Sequence, residues 1–199
     1  MKTELAARWG KGLGFILCLT PLALLADLTL RGDLGPNPVE TLSQGTGDWA
    51  LRLLLLTLAL GPLARLPGLT WVRRFGRPLG LFAFFYALVH LAIYLVLDRA
   101  LNWEDIGSDF TDRPFILAGL GAFALLIPLA VTSTRKWRER LGPVWHRLHR
   151  LAYVSAGLAV LHFFWLAKAD LREPLLYGAL LLGWLIWRLK PTHLNFRPR

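Results

Sequence analysis

The chain has 199 residues, 55% of them hydrophobic and 12% aromatic, with 23 Lys and Arg against 13 Asp and Glu for a formal charge of +10. So apolar a composition at this length excludes an ordinary soluble domain and gives a membrane protein. The positive charge is not a nucleic-acid signature: the Trp residues cluster near the ends of apolar segments instead of lining a basic face.

The first apolar stretch covers residues 12–30 and follows Lys2, Arg8 and Lys11, as a signal peptide would. It exceeds the ~7–15 apolar residues of such a segment and further spans follow, so it is read as a membrane helix. It holds Cys18, the single cysteine, which has no partner for a disulfide or a covalent haem attachment. A second stretch at 49–66 starts beside Asp48 and carries Arg52; Asp27 and Arg52 both fall near helix ends, as a candidate pair or as residues that snorkel to water. The third, 78–97, carries His90, and the fourth, 114–132, is uncharged. The fifth, 149–167, runs from His149 past His162, and the sixth, 175–189, is the shortest. Most approach the ~20 residues that cross a ~30 Å hydrocarbon core. A helix satisfies its own backbone groups in lipid, so the expectation is an all-α bundle of six transmembrane helices forming one domain over residues 1–199. Pro21, Pro62 and Pro128, inside apolar runs, read as kinks.

Charge orients the bundle. The N-terminus, residues 65–77, residues 133–150 and the tail from Arg188 hold 17 of the 23 basic residues and, of the acids, only Glu4 and Glu139. By the positive-inside rule both termini are cytoplasmic. The opposite face carries the acids, with Asp98, Glu104, Asp105, Asp109 and Asp112 crowded into one loop, read as a solvated segment or as a docking surface for a positively charged partner.

Histidine is costly in hydrocarbon, so His90, His149 and His162 point to a bound metal centre, haem being the simplest. Spans three and five run in the same direction. Counted from their outer ends, His90 and His162 differ in depth by ~3 Å at 1.5 Å per residue. Each taken singly also suits a packed imidazole bonded to a neighbouring hydroxyl or carbonyl; their matched depth favours a shared, non-covalent b-type haem iron. Two axial histidines leave no open position, so such a haem transfers electrons. His149 lies ~20 Å further in, and its level on span three holds Gly76 and Arg77 but no histidine. His146 shares a helix face with His149 in a basic segment and reads as solvated; His193, in the tail, carries no reading of its own.

Arg73-Arg74 followed by Leu79-Gly80-Leu81 and His90, then Thr132-Ser133-Thr134, Leu148-His149 with Leu151 and Tyr153, and His162 with Trp165, form a recurring set of motifs. Together with Leu34-Gly35-Pro36-Asn37-Pro38-Val39 they resemble the MsrQ (YedZ) family of haem-binding membrane subunits, which serve periplasmic methionine sulfoxide reductase systems. That family lies within the ferric-reductase-like transmembrane group, and the resemblance extends over nearly the whole chain.

The resemblance implies that His90, His149 and His162 are the haem-associated histidines, with a second haem or an electron-accepting site open for His149. It implies haem b and an electron supply from the quinone pool or from FMN reduced by a cytoplasmic flavin reductase. The chain carries no Gly-rich nucleotide loop after a strand, and larger ferric reductases append a flavin domain that these 199 residues do not include. Arg73, Arg74, Arg77 and the cluster at 135–140 suit a flavin phosphate or haem propionate, or else topology and anionic lipid. The implied partner is MsrP, a periplasmic molybdenum-cofactor enzyme that reduces methionine sulfoxide, which places the chain in the bacterial inner membrane. Two other functions fit the same residues: a stand-alone haem ferric or quinone reductase, which would turn over without a partner, and a non-redox membrane protein with structural histidines, which would purify colourless.

Overall fold

Each apolar stretch contains a helix in the computed structural model, which describes residues 2–167 and 170–189, with side chains from residue 12 onward. His193, Lys190, Arg197 and Arg199 lie outside the described residues, as do the side chains of Lys2, Arg8 and Lys11. Among the described residues the secondary structure is helical, without strands.

Helix α1 (Lys2–Arg31) leads to α2 (Pro38–Leu63), a 3-10 turn at Thr70–Phe75 and α3 (Gly76–Ile93). Helix α2 starts well before its apolar stretch: Pro38 sits in the first turn, where a missing N–H costs nothing, and the polar residues after it are helical too. The last turn of span three is a π-helix, Tyr94–Asp98. Ala100 and Leu101 then take positive φ values of 46° and 59°, a left-handed reversal costing about 1–2 kcal/mol per residue. The reversal delivers the chain into α4 (Trp103–Asp112), capped by the Asn102 side chain, which accepts from the Glu104 N–H at 3.0 Å.

Helix α5 (Pro114–Val131) is followed by two short helices, α6 (Arg135–Leu141) and α7 (Pro143–Leu148), then α8 (Leu151–Leu166) and α9 (Arg172–Leu189). Among the described residues three segments are long and apolar enough to cross a membrane by length and composition: Gly12–Arg31, Thr70–Asp98 and Pro114–Val131. Exposed Leu13, Phe15, Ile16, Leu182 and Ile186 give the bundle an apolar outer surface.

Two helix pairs make the core. The most extensive packing joins α2 to α3 and α5 to α8, and contacts of α3 with α5 and α2 with α8 close the four into a ring. Leu51, Leu54, Phe82, Tyr86, Leu126 and Ala156 fill the centre. Helix α9 packs on α2 and α8, burying Tyr177 and Leu181.

Helix α1 is held by a specific bond. The fully buried Tyr86 hydroxyl donates to the Cys18 carbonyl at 2.8 Å and accepts from the Leu22 N–H at 3.1 Å. Those two backbone groups would pair with each other in an uninterrupted helix, so a side chain from α3 stands inside the ladder of α1 beside Pro21.

Asp27 and Arg52 do not pair with each other. Asp27 bonds Arg31 one turn along its own helix at 2.9 Å. Arg52 donates from Nε to the Tyr177 hydroxyl at 2.7 Å and from Nη2 to Asp48 at 3.2 Å, tying α2 to α9. Neighbours within reach of one helical turn or one packed helix take precedence over a partner at similar depth.

Candidate functional site

His90 near the end of α3 and His162 near the end of α8 face each other, with ring centroids 6.2 Å apart and planes at 80°. Each is aimed by the neighbouring helix of its own pair. His90 Nδ1 lies 2.9 Å from the Ser43 carbonyl on α2, and His162 Nδ1 lies 2.6 Å from the Phe115 carbonyl on α5. A carbonyl only accepts, so both Nδ1 atoms carry the proton and donate, and both Nε2 atoms keep a lone pair. An imidazole oriented in this way by a backbone carbonyl is the usual support behind a metal-ligating histidine.

Glycine makes room for both rings. A Cβ on Gly47 of α2 would come within 3.1 Å of the His90 ring, and one on Gly119 of α5 within 2.8 Å of His162 Nδ1. Both distances are below ordinary contact, so the helices approach the imidazoles as closely as backbone allows.

The histidines line a cavity of about 590 Å³. Its inner wall is apolar, with Leu51, Leu54, Phe123, Leu126 and Phe163; Gln44, Asp48, Asp98 and Arg113 supply polar groups. Bonds of about 2.0–2.1 Å from two ring nitrogens to one metal, plus the radius of each ring, put the centroids a little over 6 Å apart, close to the spacing found here. Two nitrogens are few for a bare ion, which takes about four or more ligands, and no group of three His, Cys, Asp or Glu suited to a metal ion occurs among the described residues. The donor set fits an iron whose equatorial positions are filled by a flat, largely apolar macrocycle.

Residues 46–160, which include His90 and His149, match the family described as ferric reductase like transmembrane component. The "Protein-methionine-sulfoxide reductase heme-binding subunit MsrQ" of Xanthomonas axonopodis pv. citri (strain 306) is 48% identical, covering 94% of this chain and 90% of its own. The protein of the same name from Caulobacter vibrioides is 45% identical, over 89% of this chain and 85% of its own. The one from Xanthomonas campestris pv. campestris (strain 8004) is 50% identical, over 85% and 82%. The chain belongs to the MsrQ family.

Membership in MsrQ, with the apolar helices, makes this a membrane protein. The other residues carried over from the MsrQ resemblance lie away from the facing pair. His149, between α7 and α8, stacks on Trp145 with centroids 3.7 Å apart, and its Nδ1 donates to the Trp145 carbonyl at 3.1 Å. Arg138 lies over the same indole, 4.5 Å from its centroid. His146 is exposed, with its ring edge toward Trp145. Arg73, Arg74 and Arg77 are exposed around the start of α3, and Arg74 sits 5.1 Å from the Trp71 and Phe75 rings. They occupy the end of the bundle opposite the histidine pair.

One member of the acidic loop is not solvated. Asp109 is buried, accepts from Tyr94 and from Arg99, and forms an ion pair with Arg113. Burial opposes its charge, but the hydrogen bonds from Arg99 and Tyr94 and the Arg113 charge outweigh it, holding the carboxyl below the usual range. The exposed members are Glu104, Asp105 and Asp112 on α4 and Asp98 before it.

Ser43, Gly47, Phe115 and Gly119 were not legible as site residues. The carbonyls of Ser43 and Phe115 carry no side-chain signal at all. Gly119 did leave one, as a glycine within an apolar stretch where another helix can approach closely, whereas Gly47 precedes the second apolar stretch.

Proposed function

We propose that the chain is a b-type haem subunit of the bacterial inner membrane with six spans and both termini in the cytoplasm. It carries electrons from the quinone pool, or from a cytoplasmic flavin reductase through FMN, to the periplasmic molybdenum-cofactor methionine sulfoxide reductase MsrP. The observation that carries this reading is the facing pair of imidazoles, each with Nδ1 tied to a carbonyl and Nε2 left to one apolar cavity. When bound, a haem held by two imidazoles would supply one-electron transfer.

The protein's residues do the rest. His90 and His162 would hold the iron, and the Ser43 and Phe115 carbonyls accept the Nδ1 protons and so keep both rings oriented. Leu51, Leu54 and Phe123 exclude water. His149, Arg73, Arg74 and Arg77 belong to the donor side, where cationic groups suit a flavin phosphate. The loop holding α4, with exposed Glu104, Asp105 and Asp112, forms part of the face on which a positively charged patch of the partner docks.

Absorption spectra of the protein purified from haem-replete cells, oxidised and dithionite-reduced, test this reading. The expected result is a six-coordinate b-type spectrum that His90→Ala and His162→Ala each abolish while the chain still inserts. A colourless, folded protein, or a spectrum that survives either substitution, overturns it.

A further inference from the structure

Arg113 is the one Lys or Arg among the described residues lining the histidine cavity. It stands where α5 begins, two residues before Phe115, whose carbonyl aims His162, and hence within about 3 Å in depth of that anchor. Its Nε forms an ion pair with Asp109 Oδ1 at 3.2 Å. Asp109 is in turn held by the Tyr94 hydroxyl at 2.8 Å and by Arg99, whose Nη2 lies 3.1 Å from Oδ1. The buried carboxylate therefore holds the guanidinium by charge, with Nε the nearest nitrogen. The two terminal amino groups of Arg113 make no hydrogen bond among the described residues, and its side chain stays 47% exposed.

A b-type haem is an apolar disc with two carboxylates on one edge. Burying those carboxylates among Leu51, Leu54 and Leu126 without a counter-charge would cost several kcal/mol, so that edge belongs where the cavity has a cation. A guanidinium with two unbonded amino groups meets a carboxylate through parallel N–H donors.

We propose that Arg113, braced by Asp109, binds a propionate of the haem held by His90 and His162, and so sets which edge of the macrocycle faces α4. This assignment rests on the haem reading above. Arg113 is a binding and positioning residue: it fixes rotation about the axis joining the two imidazoles, which the histidines leave free. Its charge near the iron also favours the reduced state.

The test uses the full-length protein in detergent, with redox potentiometry and resonance Raman spectra of the propionate bending modes. Arg113→Gln is expected to keep the six-coordinate spectrum, shift the midpoint potential to more negative values and move a bending mode. Arg113→Lys keeps the charge but loses the planar fork, so its potential stays near that of the unsubstituted protein while the bending mode still moves. An Arg113→Gln protein unchanged in both readouts overturns the assignment; if that variant fails to retain haem, an unchanged bending mode in Arg113→Lys overturns it instead. A variant that only melts earlier, with neither readout moved, shows a structural role and also overturns it. Failure of the haem reading looks different, since the unsubstituted protein would then be colourless.

Discussion

A methyl group on Gly119 would sit 2.8 Å from His162 Nδ1 and 2.9 Å from Cε1, closer than carbon approaches either atom, so the imidazole must leave the position in which Phe115 aims it. Gly119→Ala is expected to remove most of the bound haem per protein. The same change favours the helical backbone by about 1 kcal/mol, so thermal stability of the haem-free form should hold or rise. Gly47→Ala, at 3.1 Å, should cost less. Haem per protein read beside a melting curve checks both, and full haem occupancy in Gly119→Ala would refute the steric account. That His90 and His162 come together was legible because depth can be counted along two helices of the same direction. Their supports were not, since a backbone carbonyl leaves no trace in side-chain chemistry and a glycine in an apolar run also serves ordinary helix packing.

The bond from Tyr86 into α1 makes one residue of α3 responsible for much of the hold on a whole helix. Tyr86→Phe keeps the ring in the core but leaves the Cys18 carbonyl and the Leu22 N–H to close on each other or stay unpaired. The expected cost is about 1 kcal/mol, rising toward about 3 if they stay unpaired in the apolar interior. Thermal unfolding in detergent measures it, and limited proteolysis should show α1 released before the four-helix core; unchanged melting and cleavage would contradict the role given to the hydroxyl. Elements were read well from apolarity where lipid or core decides, and poorly where polar residues fold. The start of α2 was hidden because Ser43, Gln44 and Asp48 point into the cavity and look like loop in a hydropathy profile. Helix α4 was missed although its signals were present: Asn102 as cap, Glu104 and Asp105 in the first turn, and Ile106 and Asp109 buried beneath. Asp109 was taken for part of an acidic loop because its partners Tyr94 and Arg99 come from a π-turn that spacing does not announce.

For the whole molecule, the distribution of Lys and Arg predicts cytoplasmic termini with α4 outside. A fluorescent protein fused after Arg199 should be bright and alkaline phosphatase at the same place inactive; the reverse pattern would invert the bundle and move the histidine pair to the cytoplasmic side. The family was legible from motif order alone, and the comparisons agree with it across nearly the full chain. What no motif states is how the two facing imidazoles are shared out. Helices α2 and α3 carry one imidazole with its aiming carbonyl, and α5 and α8 carry the other. A metal gripped by both is a rivet across the seam between two hairpin-like halves. Whatever binds the joined form and not the parted one stabilises it by mass action, so a haem held there would help keep the bundle shut. A cell short of haem would then lose the protein to its proteases as well as the protein's activity, and the abundance of the chain would gauge the haem supply.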